Sequence, residues 1–305
     1  MLKVRKNYKL LLLVVFLLMN VKIYGFDYSI KSDSMKIIIK GNLQKTIFYD
    51  NIKFLMNNVF FTSENAMLLG DSLFVLIDSV KGVDKNNRYY TDTLIFHQNR
   101  SVAEFFGNNI FYIENNILKG EYFLFDLSDS SLSMENNIIY RTAGDTFQIN
   151  ANRGYFNNNT HFAKFYNSPF LSIYRDSDTI IVKSDTIKFA NDSIVLFVNN
   201  FNMEMNNSIL NGDFCNFNIR KENGIISGNP VYRSKDVLIK GDTAIISRDE
   251  SIQSALFYNN AGIVYNRSDS LNIHADSILI KSESDSINIM HAYGNVKGRY
   301  FKNEE

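Results

Sequence analysis

From Lys36 onward the chain alternates apolar and polar residues with period two over short runs, which predicts strands with one buried face. The runs recur in a common frame. Clear copies read Asp178-Thr-Ile-Ile-Val-Lys-Ser-Asp185-Thr-Ile-Lys-Phe189 and Asp269-Ser-Leu-Asn-Ile-His-Ala-Asp276-Ser-Ile-Leu-Ile280, and Asp145 to Asn152 follows the same pattern. A form one residue shorter spans Asp236 to Asp242, Asn207 to Asp213, Asn115 to Glu121 and Asn65 to Asp71. Starts at 115, 145, 178, 207, 236 and 269 give steps of 30, 33, 29, 29 and 33 residues, the mark of a repeat architecture. A degenerate copy ends in Tyr89-Tyr-Thr-Asp92, and Lys36 to Asn42 reads as the first.

Within a copy the two apolar pairs, such as Ile180/Val182 and Ile187/Phe189, stand five residues apart. An odd step turns the second pair outward unless a bulge or corner intervenes. A small residue before an acid or Asn marks that place at Gly120, Ala151, Ser184, Gly212, Gly241 and Ala275, as a tight corner requires. Stacked bent units predict an all-β, repeat-built fold, either a β-solenoid or a β-jelly roll folded over like a V, around one apolar interior. The inward positions are Leu118, Phe123, Phe125, Phe147, Ile149, Phe156, Ile180, Val182, Ile187, Phe189, Leu210, Phe217, Val237, Ile239, Ile246, Leu271, Ile273, Ile278 and Ile280. From the residues alone these close a dry core as readily as they line an open groove.

Composition supports the strand reading: 25 Phe, 17 Tyr and 40 Asn against 15 Gly and 2 Pro leave the turns to Asn, which tolerates left-handed backbone. Lys+Arg and Asp+Glu both number 32, so the net charge of zero gives no long-range pull on nucleic acid. Lys3, Arg5, Lys6 and Lys9 precede an apolar run from Leu10 to Met19, the layout of a secretory signal over residues 1–25, with 26–305 as the exported array. An uncleaved inner-membrane anchor is the alternative, although the run is half the about 20 residues a spanning helix needs. The single cysteine, Cys215, cannot close an internal disulfide.

Catalytic chemistry is sparse. His97, His161, His274 and His291 are scattered without metal-ligand spacing, with His274 at an outward strand position. Cys215 aligns with Ala244 and Ile278 as a small buried residue, and Asp178, Asp185, Asp236, Asp242, Asp269 and Asp276 read as turn caps rather than calcium ligands. The expectation is a non-enzyme with no metal and no cofactor.

A second element follows the copies: Asn167-Ser-Pro169-Phe, Gly228-Asn-Pro230-Val, Asn260-Ala-Gly262-Ile and Gly294-Asn-Val296, read as turns feeding strands. With the alternating strands and small-acid corners, these segments resemble the OstA-like domains of lipopolysaccharide transport, most clearly over Asp178 to Phe189, Gly228 to Ile246 and Asp269 to Val296. The resemblance implies a V-shaped antiparallel β-jelly roll whose apolar groove holds acyl chains. It implies a periplasmic bridge that carries lipopolysaccharide or a related glycolipid between the inner and outer membranes. The terminal strands, Lys36-Ile-Ile-Ile-Lys and Asn295 to Phe301, are expected to join other OstA-like proteins, or a second copy, by edge-strand addition. The competing reading is an exported β-solenoid adhesin or carbohydrate-binding scaffold.

Overall fold

The structure is a computed structural model and describes residues 28–40, 43–56, 58–113, 115–145, 147–174, 179–190, 193–205, 208–249, 252–266, 270–283 and 286–301. The expected signal at 1–25, Asp178, Asp269 and Gly41-Asn42 lie outside them. The described chain is all-β, every strand pair is antiparallel, and two compact units divide at 166/167.

In each unit a long strand crosses from one wall of a folded sheet to the other. Leu43–Met56, for example, pairs over residues 43–49 with Ser34–Lys40 and over residues 53–56 with Tyr28–Lys31. The crease between the walls has two alternating forms. One is the small-acid step that the sequence predicts, and the other is a pair of left-handed residues on the neighbouring strand.

Positive φ occurs at Asp50/Asn51, Asp78/Ser79, Gly107, Asn136/Asn137, Asn167/Ser168, Asn199/Asn200, Gly228/Asn229, Asn259/Asn260 and Gly294/Asn295. Eight of these nine sites are consecutive pairs, and successive sites lie 28 to 35 residues apart, so the left-handed crease keeps the repeat's own period. At such steps the left-handed strand carries one residue more than its neighbour: Val198 to Phe201 opposes Phe214 to Gly212, and Tyr258 to Ala261 opposes Ser277 to Ala275. The extra residue is a β-bulge, and it bends the strand from one wall into the next.

The copy itself turns at the small-acid corner, as at Ser184-Asp185, and the bulge sits on the strand beside it. Asn167-Ser168, Gly228-Asn229 and Gly294-Asn295 are bends that lead into Phe170–Tyr174, Val231–Arg233 and Lys297–Phe301, as expected, whereas Asn260-Ala261-Gly262 lies inside the strand Ile252–Asn266. The two crease forms interlock. The side chains of Asn51, Asn108, Asn137, Asn200, Asn260 and Asn295 donate to the carboxylates of Asp33, Asp92, Glu121, Asp185, Asp242 and Asp276. The acids are thus structural caps along the crease. Bulk is excluded beside them: a Cβ at Gly120 would stand 2.5 Å from the Phe123 ring, and one at Gly212 2.5 Å from Ile226.

One proposed copy is shifted, and Ser32-Asp33 makes a corner outside the copies, where the Asp33 amide donates to the Asp50 carbonyl. Gly70-Asp71 is a hairpin end, and the corner of that copy falls between Thr62 and Asn65. A Gly-Asp or Gly-Asn pair suits a hairpin end as well as a corner, so local sequence does not separate them.

Candidate functional site: the apolar interior

In unit 1 the row nearest the crease on the first wall runs strand by strand through Phe48, Ala66, Leu76, Leu94, Phe105, Phe123, Met134, Gly154 and Phe165, all buried. The second wall answers with Phe54, Phe61, Gly82, Tyr89, Phe111, Leu118, Tyr140 and Ile149, also buried. Rings from opposite walls touch: Phe105 and Phe111 have centroids 5.1 Å apart, Phe111 and Phe123 5.0 Å, and Phe54 and Phe74 5.2 Å. These are edge or tilted packings at ordinary aromatic distances. Gly82 is glycine because the Phe61 ring lies where its Cβ would be, 2.5 Å away. The interior of unit 1 is filled by its own side chains, with Phe156 buried beside this core and Phe125 and Phe147 half-buried.

Unit 2 is built differently. On its first wall, Ile187, Phe197, Cys215, Ile226, Ala244, Phe257 and Ile278 form a continuous row next to the crease, each at most 5% exposed. One step farther from the crease come Phe189, Val195, Phe217, Gly224, Ile246, Ala255 and Ile280, where Phe217, Ile246 and Ala255 are only half-buried. On the second wall one row runs through Val182, Met203, Leu210, Tyr232, Ile239, Ile263 and Ile273, of which Met203, Tyr232 and Ile273 are half-buried; the next row outward includes Ile180, Met205, Val237, Tyr265 and Leu271, of which Met205, Tyr265 and Leu271 are half-buried. Ile180 and Val237 are buried on the same wall. In unit 2 the first wall is closed beside the crease and partly uncovered one row farther out, while the second wall mixes buried and half-buried apolar side chains in both rows.

Of the nineteen sequence-chosen positions thirteen are buried and six, Phe125, Phe147, Phe217, Ile246, Leu271 and Ile273, are half-buried, while Lys240 and His274 are exposed. The sequence reading missed the interior residues of the left-handed strands, namely Phe197, Met203, Met205, Phe257, Ile263 and Tyr265. Their signal was present as alternation on either side of Asn199-Asn200 and Asn259-Asn260, and it keeps one phase through each strand, since Phe197, Phe201, Met203 and Met205 are all at odd positions, as are Phe257, Ala261, Ile263 and Tyr265.

The apolar rows also continue onto exposed terminal strands. Met35, Ile37 and Ile39, 62%, 50% and 72% exposed, pair with Phe48, Thr46 and Gln44, and at the other end Tyr300 extends the row of Val237, Tyr265 and Leu271.

Burial pushes the Cys215 thiol up to about 12. An unfolded thiol ionises near about 8.5, so above that pH the unfolded chain releases a proton that the folded chain keeps. The stability contributed is complete below about pH 8.5 and is lost as pH rises toward 12, at about 1.4 kcal/mol per pH unit. Urea midpoints measured from pH 8 to 11 are expected to fall, and Cys215→Ala to flatten much of the decline. An unchanged slope in the variant would assign the loss elsewhere. Tyr89, raised first by burial and then by the Asp84 carboxylate it donates to, adds to the alkaline loss in unit 1.

Among the described residues no group of three His, Cys, Asp or Glu side chains is placed to hold a metal, and no helix is long and apolar enough to cross a membrane. His97 instead joins a polar network on the outer face, with Nε2 2.7 Å from Glu104 and Nδ1 2.7 Å from Arg100. No family model matches the chain, and no curated protein matches it. Among solved structures the chain is similar to LptH, the LptA homologous periplasmic component of the conserved lipopolysaccharide transport device from Pseudomonas aeruginosa. The two are 12% identical, with a TM-score of 0.32, over 36% of this chain and 82% of that one.

Proposed function

We propose that the protein is a non-enzymatic lipid carrier of the OstA-like type, which holds the acyl chains of lipopolysaccharide or a related glycolipid in the periplasm, between the inner and outer membranes. The observation that carries this reading is the partly uncovered apolar interior of unit 2. Phe217 and Ile246 on the first wall, and Leu271 and Ile273 on the second, are only half-buried. Each methylene buried there contributes about 0.8 kcal/mol, so one acyl chain gains ample affinity from contacts that need no specific shape.

In this reading the uncovered rows at Met35 to Ile39 and at Tyr300 are places where a further OstA-like domain, or a second copy, adds a strand and lengthens the apolar path. Unit 1 favours a second role, since its ring-filled interior leaves a carrier little to hold and suits a rigid scaffold.

The test is direct. Protein purified without detergent from its native envelope is extracted with organic solvent, and the extract is read by mass spectrometry. The carrier reading expects acyl-bearing glycolipid in roughly stoichiometric amount. Clean extracts from folded protein would leave the scaffold reading standing.

A further inference from the structure

The outer face of the second wall of unit 1 differs from every surface used so far. Between crease and rim its outward positions include Lys31, Lys53, Lys81, Arg88, Lys119 and Arg141, all exposed. Among the described residues no Asp or Glu occupies an outward position of that span; Asp33, Glu64, Asp92 and Glu121 sit at the crease, where Asp33, Asp92 and Glu121 each accept a hydrogen bond from an Asn, and Asp84 lies in the rim turn, where it accepts from Asn87 and Tyr89. The first wall of the same unit is mixed, with Glu104 against His97 and Glu135 3.6 Å from Arg153. In a chain of zero net charge this is a segregation of cations onto one face.

The row nearest the rim adds a second character. Phe60, Val83, Arg88 and Tyr112 are neighbours on successive strands, with Phe60 58%, Val83 51% and Tyr112 40% exposed. Behind them lies the row of Lys53, Thr62, Lys81, Tyr90, Ile110 and Lys119. Uncovered aromatic and aliphatic groups interleaved with lysine and arginine fit the boundary between anionic headgroups and hydrocarbon. A soluble polyanion would use the cations and leave Phe60 and Val83 in water. Nine strand segments about 4.8 Å apart give the face a width of about 40 Å, enough to span many headgroups.

We infer that this face docks on the surface of an anionic lipid bilayer, with Phe60, Val83 and Tyr112 at the headgroup level and the lysines against lipid phosphates. The docking stands on unit 1 alone and does not depend on whether unit 2 carries lipid.

A local probe tests it on the full chain. In a Cys215→Ala background, an environment-sensitive fluorophore is attached at Val83→Cys, or at Ser133→Cys on the outer face of the first wall. Vesicles of phosphatidylcholine with 30% phosphatidylglycerol are titrated in at low salt, alongside vesicles of phosphatidylcholine alone. The expected result is a blue shift at position 83 with anionic vesicles only, abolished by half-molar salt, and none at position 133. K53Q/K81Q/K119Q should weaken the shift at 83 by roughly a hundredfold, since each cation at a membrane surface is worth about fivefold. K45Q/R100Q/K164Q, which removes the same charge from the first wall and its rim, should change it less than twofold. No shift at 83, equal shifts at 83 and 133, equal response to neutral vesicles, or a triple variant that behaves as wild type each overturns the docking. A shift produced instead by a soluble anionic polysaccharide without vesicles would do the same.

Discussion

Phe123→Ala is expected to cost about 3–5 kcal/mol of stability, read as a lower urea midpoint at unchanged slope. The ring is fully buried in unit 1, on a wall row between Phe105 and Met134, and meets Phe111 of the other wall at 5.0 Å. It also lies over Gly120 at the crease, so no neighbour is placed to collapse into the space. Phe217→Ala removes a ring of the same size from the half-buried rim of unit 2 and should cost less than half as much. Equal losses would mean that the two interiors are packed alike, and the contrast between a filled unit and an open one would fail.

The second large effect is on lipid retention. Phe217→Asp places a carboxylate on the rim row opposite Val195 and Gly224, where an acyl chain would strip its hydration without offering a partner. Because Phe217 is only half-buried, the variant should still fold and keep a β-rich circular dichroism spectrum, while the lipid recovered falls at least tenfold. Lys240→Asp, on an exposed outward position, should retain lipid as the wild type does. Ile239→Asp gives the opposite contrast, since that side chain is fully buried beside the crease and a charge there should cost several kcal/mol and unfold the unit. Equal lipid recovery from folded Phe217→Asp and Lys240→Asp would remove the open rim as the binding place.

The small-acid corners were legible because they impose a local demand. Gly120, Ser184, Gly241 and Ala275 must be small where the walls converge, and the acid after each must meet an Asn across the crease. The burial of Val182 and Ile187, five residues apart in sequence, followed from that corner. The left-handed partner strands were missed for another reason: Phe197, Phe201 and Met203 keep one phase of alternation, but the reading was anchored on the small-acid frame, which those strands lack. The difference between the units was not legible at all. It depends on which rings face one another across the walls, as Phe111 does between Phe105 and Phe123, and contacts between strands far apart in sequence leave no local mark. The cation-rich outer face was hidden for the same reason: Lys53, Lys81 and Lys119 stand 28 and 38 residues apart and meet only through the register of the strands between them.

The pairing of an acid corner with an asparagine corner makes the fold count in twos. A donor strand needs an acceptor strand beside it, and each is also antiparallel to its neighbour. Removing one strand would set donor against donor at the crease and reverse the direction of everything that follows. Loss or gain of a whole hairpin of about thirty residues preserves both relations at once. Such a chain can therefore lengthen or shorten only in even steps, and the distance it spans is quantised at two strand spacings, about 10 Å.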